Sequence, residues 1–360
     1  MADDLLVEFT RQYIEAQGVP EVTFAWQGGE PTLMGLDFFE RAMALQHQFS
    51  KPGMRIDNAL QTNAVQLDDA WCRFLKLHRF LVGVSLDGPQ ELHDAYRADK
   101  GGGPTFRRVM AGLDMLKKHN VDYNILTAVH AANAEHPLRV YRFLRDEVGA
   151  QFIQFIPIVE RANRTGFQEG RRVTRRSVTG KQYGQFLIGV FDEWVQRDVG
   201  RVYVQIFDVA LGAWLGQPRS LCIFQETCGQ AMALEHNGDL YSCDHFVEPK
   251  HRLGNIQDVP LTAMASSAKQ RRFGIAKRDT LPPVCQACPV KFVCNGGCPK
   301  DRLLRVSTAG SGNHGRLNYL CEGYKSFFTY IDAPMKFMAA AIQARRPPSD
   351  IMHYLAHPEK

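Results

Sequence analysis

The sequence predicts an α/β protein: a parallel sheet built from alternating strands and helices, followed by a smaller cysteine-rich region. Two observations carry this reading. Apolar periodicity switches between strand and helix spacing roughly every 30 residues, the length of a βαβ unit, up to about residue 157. Of nine cysteines, eight fall between Cys222 and Cys321, and only Cys72 precedes them. The 360 residues are 45% apolar and 22% charged, a composition that excludes disorder, collagen and coiled coil, and the length buries a core without staples. A net charge of +5 is weak for a nucleic-acid binder of this size. No run approaches about 18 consecutive apolar residues, and Asp3 and Asp4 stand where a secretory signal would carry basic residues. The expectation is a cytoplasmic protein with neither membrane nor nucleic-acid partner.

Residues 4 to 17 place Leu6, Phe9, Tyr13 and Ile14 on one helical face. A strand over Val22 to Trp26 follows, then the turn Gln27-Gly28-Gly29-Glu30-Pro31 and a helix with Phe39 and Met43, which Asp37 is expected to cap. Strands are predicted near 55–61, 80–86, 121–128 and 151–157, with helices near 68–77, 105–118 and 137–147 between them. Cys72 belongs to the second of these helices and reads as a core thiol beside Trp71, Phe74 and Leu75. Six arginines between 161 and 176 form a basic insertion read as a solvated loop; with Phe167 the one aromatic among them, nucleic-acid stacking is not indicated. A helix with Leu187, Phe191 and Trp194 comes next, another runs from Tyr324 to Ala344, and the tail from Arg345 to Lys360 is expected to be mobile. Domains are expected at 1–200 and 201–343, with the tail at 344–360.

Parallel sheets carry their functional loops at the carboxyl ends of the strands. The unusual residues lie there: Gly28-Gly29-Glu30-Pro31, Gln61-Thr62-Asn63, and Ser85-Leu86-Asp87-Gly88, with His93 and Arg97 beyond. Each alone reads as turn punctuation. Three in register indicate a ligand site.

Cysteines at this density in a chain without a secretory signal indicate metal or redox chemistry. Cys285, Cys288, Cys294 and Cys298 form a compact series; Cys222, Cys228 and Cys243 form a looser one, and Cys321 stands apart. Two tetrads result if the groups exchange a ligand. Spacing alone admits zinc or iron–sulfur, and the ferredoxin-like short series, with Pro289 and Pro299 after two cysteines, favours two 4Fe-4S clusters.

Gln27-Gly28-Gly29-Glu30-Pro31-Thr32, Gln61-Thr62-Asn63, Ser85-Leu86-Asp87-Gly88-Pro89 with His93 and Arg97, and the eight-cysteine pattern together resemble the anaerobic sulfatase-maturating enzymes, radical S-adenosylmethionine (SAM) proteins with a SPASM domain. Asn237-Gly238-Asp239 before Cys243-Asp244, and Leu253-Gly254-Asn255-Ile256, extend the resemblance. It implies a partial (β/α)6 radical SAM barrel followed by the SPASM domain. It also implies SAM binding by Gln27, Gly28, Gly29 and Glu30 at the methionyl amine, Ser85 and Arg97 at the carboxylate, and Val159 on the adenine side. Two auxiliary 4Fe-4S clusters would be held by Cys222, Cys228, Cys243 and Cys298 and by Cys285, Cys288, Cys294 and Cys321. The implied reaction oxidises a Ser or Cys in a sulfatase polypeptide segment to formylglycine, with Asp244 as base and a flavodoxin or ferredoxin as electron partner. Maturation of another peptide, or a non-catalytic iron–sulfur electron-transfer or binding role, are the alternatives.

The family's Cys-x3-Cys-x2-Cys loop, which holds the third, SAM-cleaving 4Fe-4S cluster, does not occur in these 360 residues. The first barrel strand is therefore expected to be missing with it, from a misassigned start or a remnant. That predicts a chain unable to cleave SAM by itself, and an unpaired edge on the strand from Val22 to Trp26.

Overall fold

The structure is a computed structural model that describes residues 1–306 and 315–357. Its first part alternates as the sequence predicts: α1 (Asp3–Glu15), β1 (Glu21–Trp26), α2 (Leu36–Phe49), β2 (Arg55–Thr62), α3 (Asp69–Leu77), β3 (Leu81–Ser85), α4 (Gln90–His93), α5 (Phe106–Lys118), β4 (Tyr123–Val129), α6 (Pro137–Arg142), β5 (Phe152–Pro157), α7 (Gly180–Arg197), β6 (Tyr203–Val204) and α8 (Gln205–Trp214). The six strands form one sheet in chain order, β1 to β6, with β1/β2, β2/β3, β3/β4 and β5/β6 pairing in parallel. β6, only two residues long, is a strand that alternation of apolar residues was too short to reveal.

Asp37 does not cap α2. The helix starts one residue earlier, at Leu36, and its N-cap is Gly35, whose φ of 79° suits glycine. Asp68 does cap α3, accepting from the Trp71 amide at 2.9 Å. Cys72 on that helix is fully buried, as expected, and burial pushes its thiol up to about 11. The outer edge of β1 has no strand partner among the described residues. Tyr13 of α1 donates to the Thr23 carbonyl at 2.9 Å, so a helix side chain serves part of that edge.

The remainder contains β7 (Ala233–Leu234), β8 (Asp239–Tyr241), β9 (Arg252–Asn255), α9 (Leu261–Ala265), α10 (Ala268–Asp279), α11 (Pro283–Gln286), α12 (Lys291–Cys294), β10 (Arg302–Arg305), β11 (Arg316–Asn318), α13 (Cys321–Tyr330), α14 (Asp332–Gln343) and α15 (Asp350–Ala356). β7–β9 form an antiparallel sheet, and β10 pairs antiparallel with β11. The single helix predicted from Tyr324 to Ala344 is two, divided at Ile331. Pro334 sits in the first turn of α14, where its missing N–H costs nothing but where continuation from α13 would clash. The tail expected to be mobile folds into α15, with Ile351 buried and Tyr354 stacked on Phe337 at 4.8 Å; residues 358–360 of it lie outside the described residues.

Packing divides the chain into two compact units that do not follow its linear order. One comprises 1–86, 93–126 and 229–273; the other comprises 87–92, 127–228 and 274–360. In the first, Leu5 of α1 joins Leu240, Ile256 and Met264 in a core cluster. Gln12 fastens the same contact, donating to the Ile256 carbonyl at 2.9 Å and accepting from the Leu261 amide at 2.6 Å. In the second, α13 lies against α7 through glycines: a Cβ on Gly184 would stand 2.7 Å from Gly323 Cα. That backbone-to-backbone approach fixes the start of α13, which is Cys321. The arginine-rich insertion is tied to itself, with Arg161 donating to the Gly170 carbonyl at 2.8 Å and bridging to Val173.

Candidate functional site

In the first unit the carboxyl ends of β1, β2 and β3 are laced by their own side chains. Gly28 (φ 93°) and Gly29 (φ 58°) turn the chain out of β1, and no heavy atom lies within 4 Å of a Cβ built on either; conformation, not crowding, requires glycine here. Next to them, Glu30 Oε1 accepts from the Thr32 amide (3.2 Å), the Thr32 hydroxyl (2.7 Å) and the Thr62 hydroxyl (2.7 Å), while Oε2 accepts from the Asn63 amide (2.8 Å). One carboxylate thus joins the loop after β1 to the loop after β2. From β2, Gln61 Nε2 donates to Ser85 Oγ at 3.0 Å across its register partner Gly83, where a Cβ would collide with the Gln61 side chain. Because Ser85 Oγ accepts, its own proton is left to donate.

Arg97 follows α4 in a pinned loop. Its carbonyl accepts from the Thr105 hydroxyl at 3.0 Å, and since that proton is spent, Thr105 Oγ1 accepts from the buried His93 Nε2, also at 3.0 Å. Gln27 lies between β1 and the glycine turn. Val159 belongs to the second unit, just beyond β5, with its side chain buried. Asp87, also of the second unit, is buried and accepts from the Ala128 amide of β4 at 2.8 Å, while its carbonyl accepts from Asn133 Nδ2 of the loop beyond at 3.0 Å.

In the second unit, Cys285, Cys288, Cys294 and Cys321 line one pocket with Gly296 and Asn318. No three His, Cys, Asp or Glu side chains among the described residues converge on a single-ion position, so these four thiols surround a space rather than a point. Burial pushes Cys285 up to about 11 and Cys294 up to about 12, with neighbouring thiols adding to the effect; as thiols they await a cationic centre to hold them as thiolates. The donor set and the enclosed space fit an iron–sulfur cluster.

The link between the two cysteine series is preset by backbone and amides. Asn295 (φ 45°), Gly296 (φ 74°) and Gly297 (φ 60°) are three successive left-handed residues between Cys294 and Cys298. Asn295 Nδ2 donates to the Phe224 carbonyl at 2.9 Å, and Asn318 donates to the Cys298 carbonyl at 3.1 Å while accepting from the Leu320 amide at 2.8 Å. Asn318 therefore connects Cys298, of one predicted tetrad, to the turn before Cys321, of the other.

Lys277 is buried on α10, and its ammonium donates to the carbonyls of Cys222 (2.8 Å), Ile223 (2.9 Å) and Gln225. Burial lowers its pKa to about 8 against the opposing thiols of Cys228, Cys298 and Cys222. Cys298 is itself pushed up to about 12, chiefly by burial. Sequence reasoning did not find Lys277, because α10 is dense in basic residues and nothing marks this one as buried. Cys243 and Asp244 lie in the first unit, and Cys243 Sγ donates to Asp244 Oδ1 at 3.1 Å.

The chain matches the Radical SAM superfamily over residues 1–144 and an iron–sulfur cluster-binding domain, SPASM, over residues 222–289. It is 43% identical to a serine-type anaerobic sulfatase-maturating enzyme of Bacteroides thetaiotaomicron, covering 99% of this chain and 86% of that enzyme. It is 35% identical to a cysteine-type enzyme of Clostridium perfringens, covering 92% of this chain and 86% of the relative. Among solved structures, native anSMEcpe with bound AdoMet and Cp18Cys peptide superposes with a TM-score of 0.85 at 34% identity, covering 95% of this chain and 92% of that one. Likeness of this degree along nearly the whole length shows that the chain belongs to the anaerobic sulfatase-maturating enzymes, radical SAM oxidoreductases with a SPASM domain, whose reaction forms formylglycine.

Proposed function

We propose that this protein oxidises a serine or cysteine in a sulfatase polypeptide segment to formylglycine in the cytoplasm, with its radical SAM part at 1–200, its SPASM part at 201–343 and a C-terminal segment beyond. The observation that carries the reading is the pocket lined by Cys285, Cys288, Cys294 and Cys321. These four would hold one auxiliary 4Fe-4S cluster; Cys222, Cys228 and Cys298, with Cys243 added on the family pattern, would hold the other. SAM cleaved at a 4Fe-4S cluster whose Cys-x3-Cys-x2-Cys ligands are not among these 360 residues would supply a 5′-deoxyadenosyl radical to take the β-hydrogen of the target residue, and the auxiliary clusters would receive the second electron.

The chain's own groups have distinct parts in this. The open backbone of Gly28 and Gly29, entered from Gln27, and the less occupied Oε2 of Glu30 are acceptors suited to the methionyl ammonium. Ser85, with its proton left over after accepting from Gln61, and the Arg97 guanidinium suit the carboxylate. Val159 would border the adenine. Asp244 Oδ1 takes a proton donor from Cys243 only while that residue is a thiol; as a thiolate ligand Cys243 donates nothing, and the carboxylate is released to accept the proton of the target hydroxyl or thiol. The peptide partner is supported by the peptide bound to anSMEcpe, and the electron partner would be a flavodoxin or ferredoxin.

Anaerobic iron and sulfide analysis tests the cluster assignment. About eight irons per chain are expected from the two cysteine sets, and Cys294→Ala should lose about four of them. Zinc in place of iron would reject it. For the enzyme carrying its SAM-cleaving cluster, Asp244→Asn is expected to cut aldehyde formation on a serine or cysteine peptide by about 10²–10⁴ while 5′-deoxyadenosine still forms, the range for a lost acid–base group. Undiminished aldehyde would remove Asp244 from its role.

A further inference from the structure

We propose that Arg302 is a positioning residue shared by both auxiliary clusters, its buried N–H groups donating to cluster sulfur from a place between the two cysteine sets. Arg302 is the first residue of β10, four positions after Cys298, and is only 7% exposed. Nη1 donates to Thr280 Oγ1 at 3.1 Å, while Nε and Nη2 are buried and meet no acceptor among the described residues. Leaving such donors unpaired is costly, more so when they are charged, so a native protein supplies a partner.

The surroundings say which partner. A Cβ on Gly296 would lie 3.1 Å from Arg302 Nη2, and Gly296 both lines the cysteine pocket and sits midway along the link from Cys294 to Cys298. Burial lowers the pKa of Arg302, and the groups acting against that are all sulfur: Cys285 and Cys294 from one set, Cys298 and Cys228 from the other. The adjacent carboxylate is engaged elsewhere, Asp301 being paired with Lys300 at 2.6 Å. Lys277, the other buried cation of this region, differs in having all its donors taken by three carbonyls. Its part is to hold a loop, whereas Arg302 keeps donors in reserve. N–H donors and positive charge beside cluster sulfur favour the reduced, more negative state and so raise the reduction potential. One guanidinium facing both sets would move both potentials together.

This inference rests on the ligand assignment proposed above. The full chain, reconstituted anaerobically, should be compared with Arg302→Gln and Arg302→Lys by iron and sulfide content and by potentiometric titration followed by electron paramagnetic resonance. Arg302→Gln is expected to keep its iron and shift both auxiliary potentials negative, with Arg302→Lys between it and the parent. Unchanged potentials at full iron content would overturn the proposal while leaving the ligand assignment standing. A parent chain that takes up no iron would overturn both. Should Arg302→Gln fail to load, the parent labelled with 15N-guanidino arginine decides. A 15N hyperfine coupling to the reduced clusters, absent from Arg302→Lys, supports the proposal, and no coupling rejects it.

Discussion

The strand-end loops of the first unit and the cysteine loops of the second are both functional loops on one chain, yet they are held in shape by opposite means. After β1, β2 and β3 the polar side chains satisfy one another: Glu30 takes four hydrogen bonds and Gln61 reaches Ser85. Around the cysteines, side chains from elsewhere grip the backbone. Lys277, Asn295 and Asn318 all donate to carbonyls, and burial pushes the Cys294 and Cys298 thiols up to about 12. The first arrangement is complete without a ligand; the second is complete only when a cationic centre turns its thiols into thiolates.

Metal removal should expose that difference most strongly. Hydrogen exchange on the chain with and without its iron is expected to show protection lost by orders of magnitude at residues 285–298 and at the start of α13, with amides at 30–33 and 62–65 unchanged. Equal loss in both regions would dissolve the distinction.

The next effect isolates the grip on the backbone. Lys277→Met takes the ammonium from the carbonyls of Cys222, Ile223 and Gln225, of which the Cys222 carbonyl still accepts from the Gln225 amide. At about 1–3 kcal/mol for each of the two carbonyls left unsatisfied, with some recovered by water, the expected cost is about 2–4 kcal/mol in denaturant unfolding of the iron-free chain. A cost under about 1 kcal/mol would mean that the loop holds itself, as the strand-end loops do.

What is legible in the sequence follows the same division. The strands, the loops at their ends and the spacing of Cys285, Cys288 and Cys294 are local patterns, carried by residues close together in the chain. Lys277 and Arg302 are not legible in that way, because their importance comes from burial, and a basic side chain carries no sign of that. Two further local signals are present in the residues themselves. Pro334 marks the break between α13 and α14, and Gly35 rather than Asp37 has the conformation that begins α2. α15 escapes sequence reasoning for a different reason: its place depends on Tyr354 finding Phe337, a tertiary contact on a segment whose prolines suggest a free end.

A smaller effect tests how the fold delivers Cys321 to its pocket. Gly184→Ala would set a Cβ against the Gly323 backbone at 2.7 Å, and neither helix has a flexible side chain there to yield. Separation of α7 and α13 should cost about 1–3 kcal/mol, the range for overpacking, and should lower iron occupancy at the pocket containing Cys321 without touching the other set. Equal iron loss from both sets would point instead to Asn318 as the element that transmits the shift.

The smallest expected effect falls on the loops that hold themselves. Glu30→Gln keeps the size of the side chain but replaces one acceptor oxygen with a donor. If Oε1 stays toward Thr32 and Thr62, the new amide faces the Asn63 N–H and one charge-assisted hydrogen bond becomes a donor–donor clash. If it turns the other way, the two threonine hydroxyls can rotate to donate elsewhere, yet the Thr32 amide cannot. Either way about 1.5–3 kcal/mol is at stake before relaxation, and the open side of these loops allows water to recover part of it, so a loss near 1 kcal/mol is expected. SAM affinity should fall by more than that stability change alone implies, because the same substitution removes the negative charge nearest the glycine turn. An unaltered SAM affinity, measured by calorimetry on folded variant, would show that the Gly28 and Gly29 backbone receives the ammonium unaided and that Glu30 serves only to join the two loops.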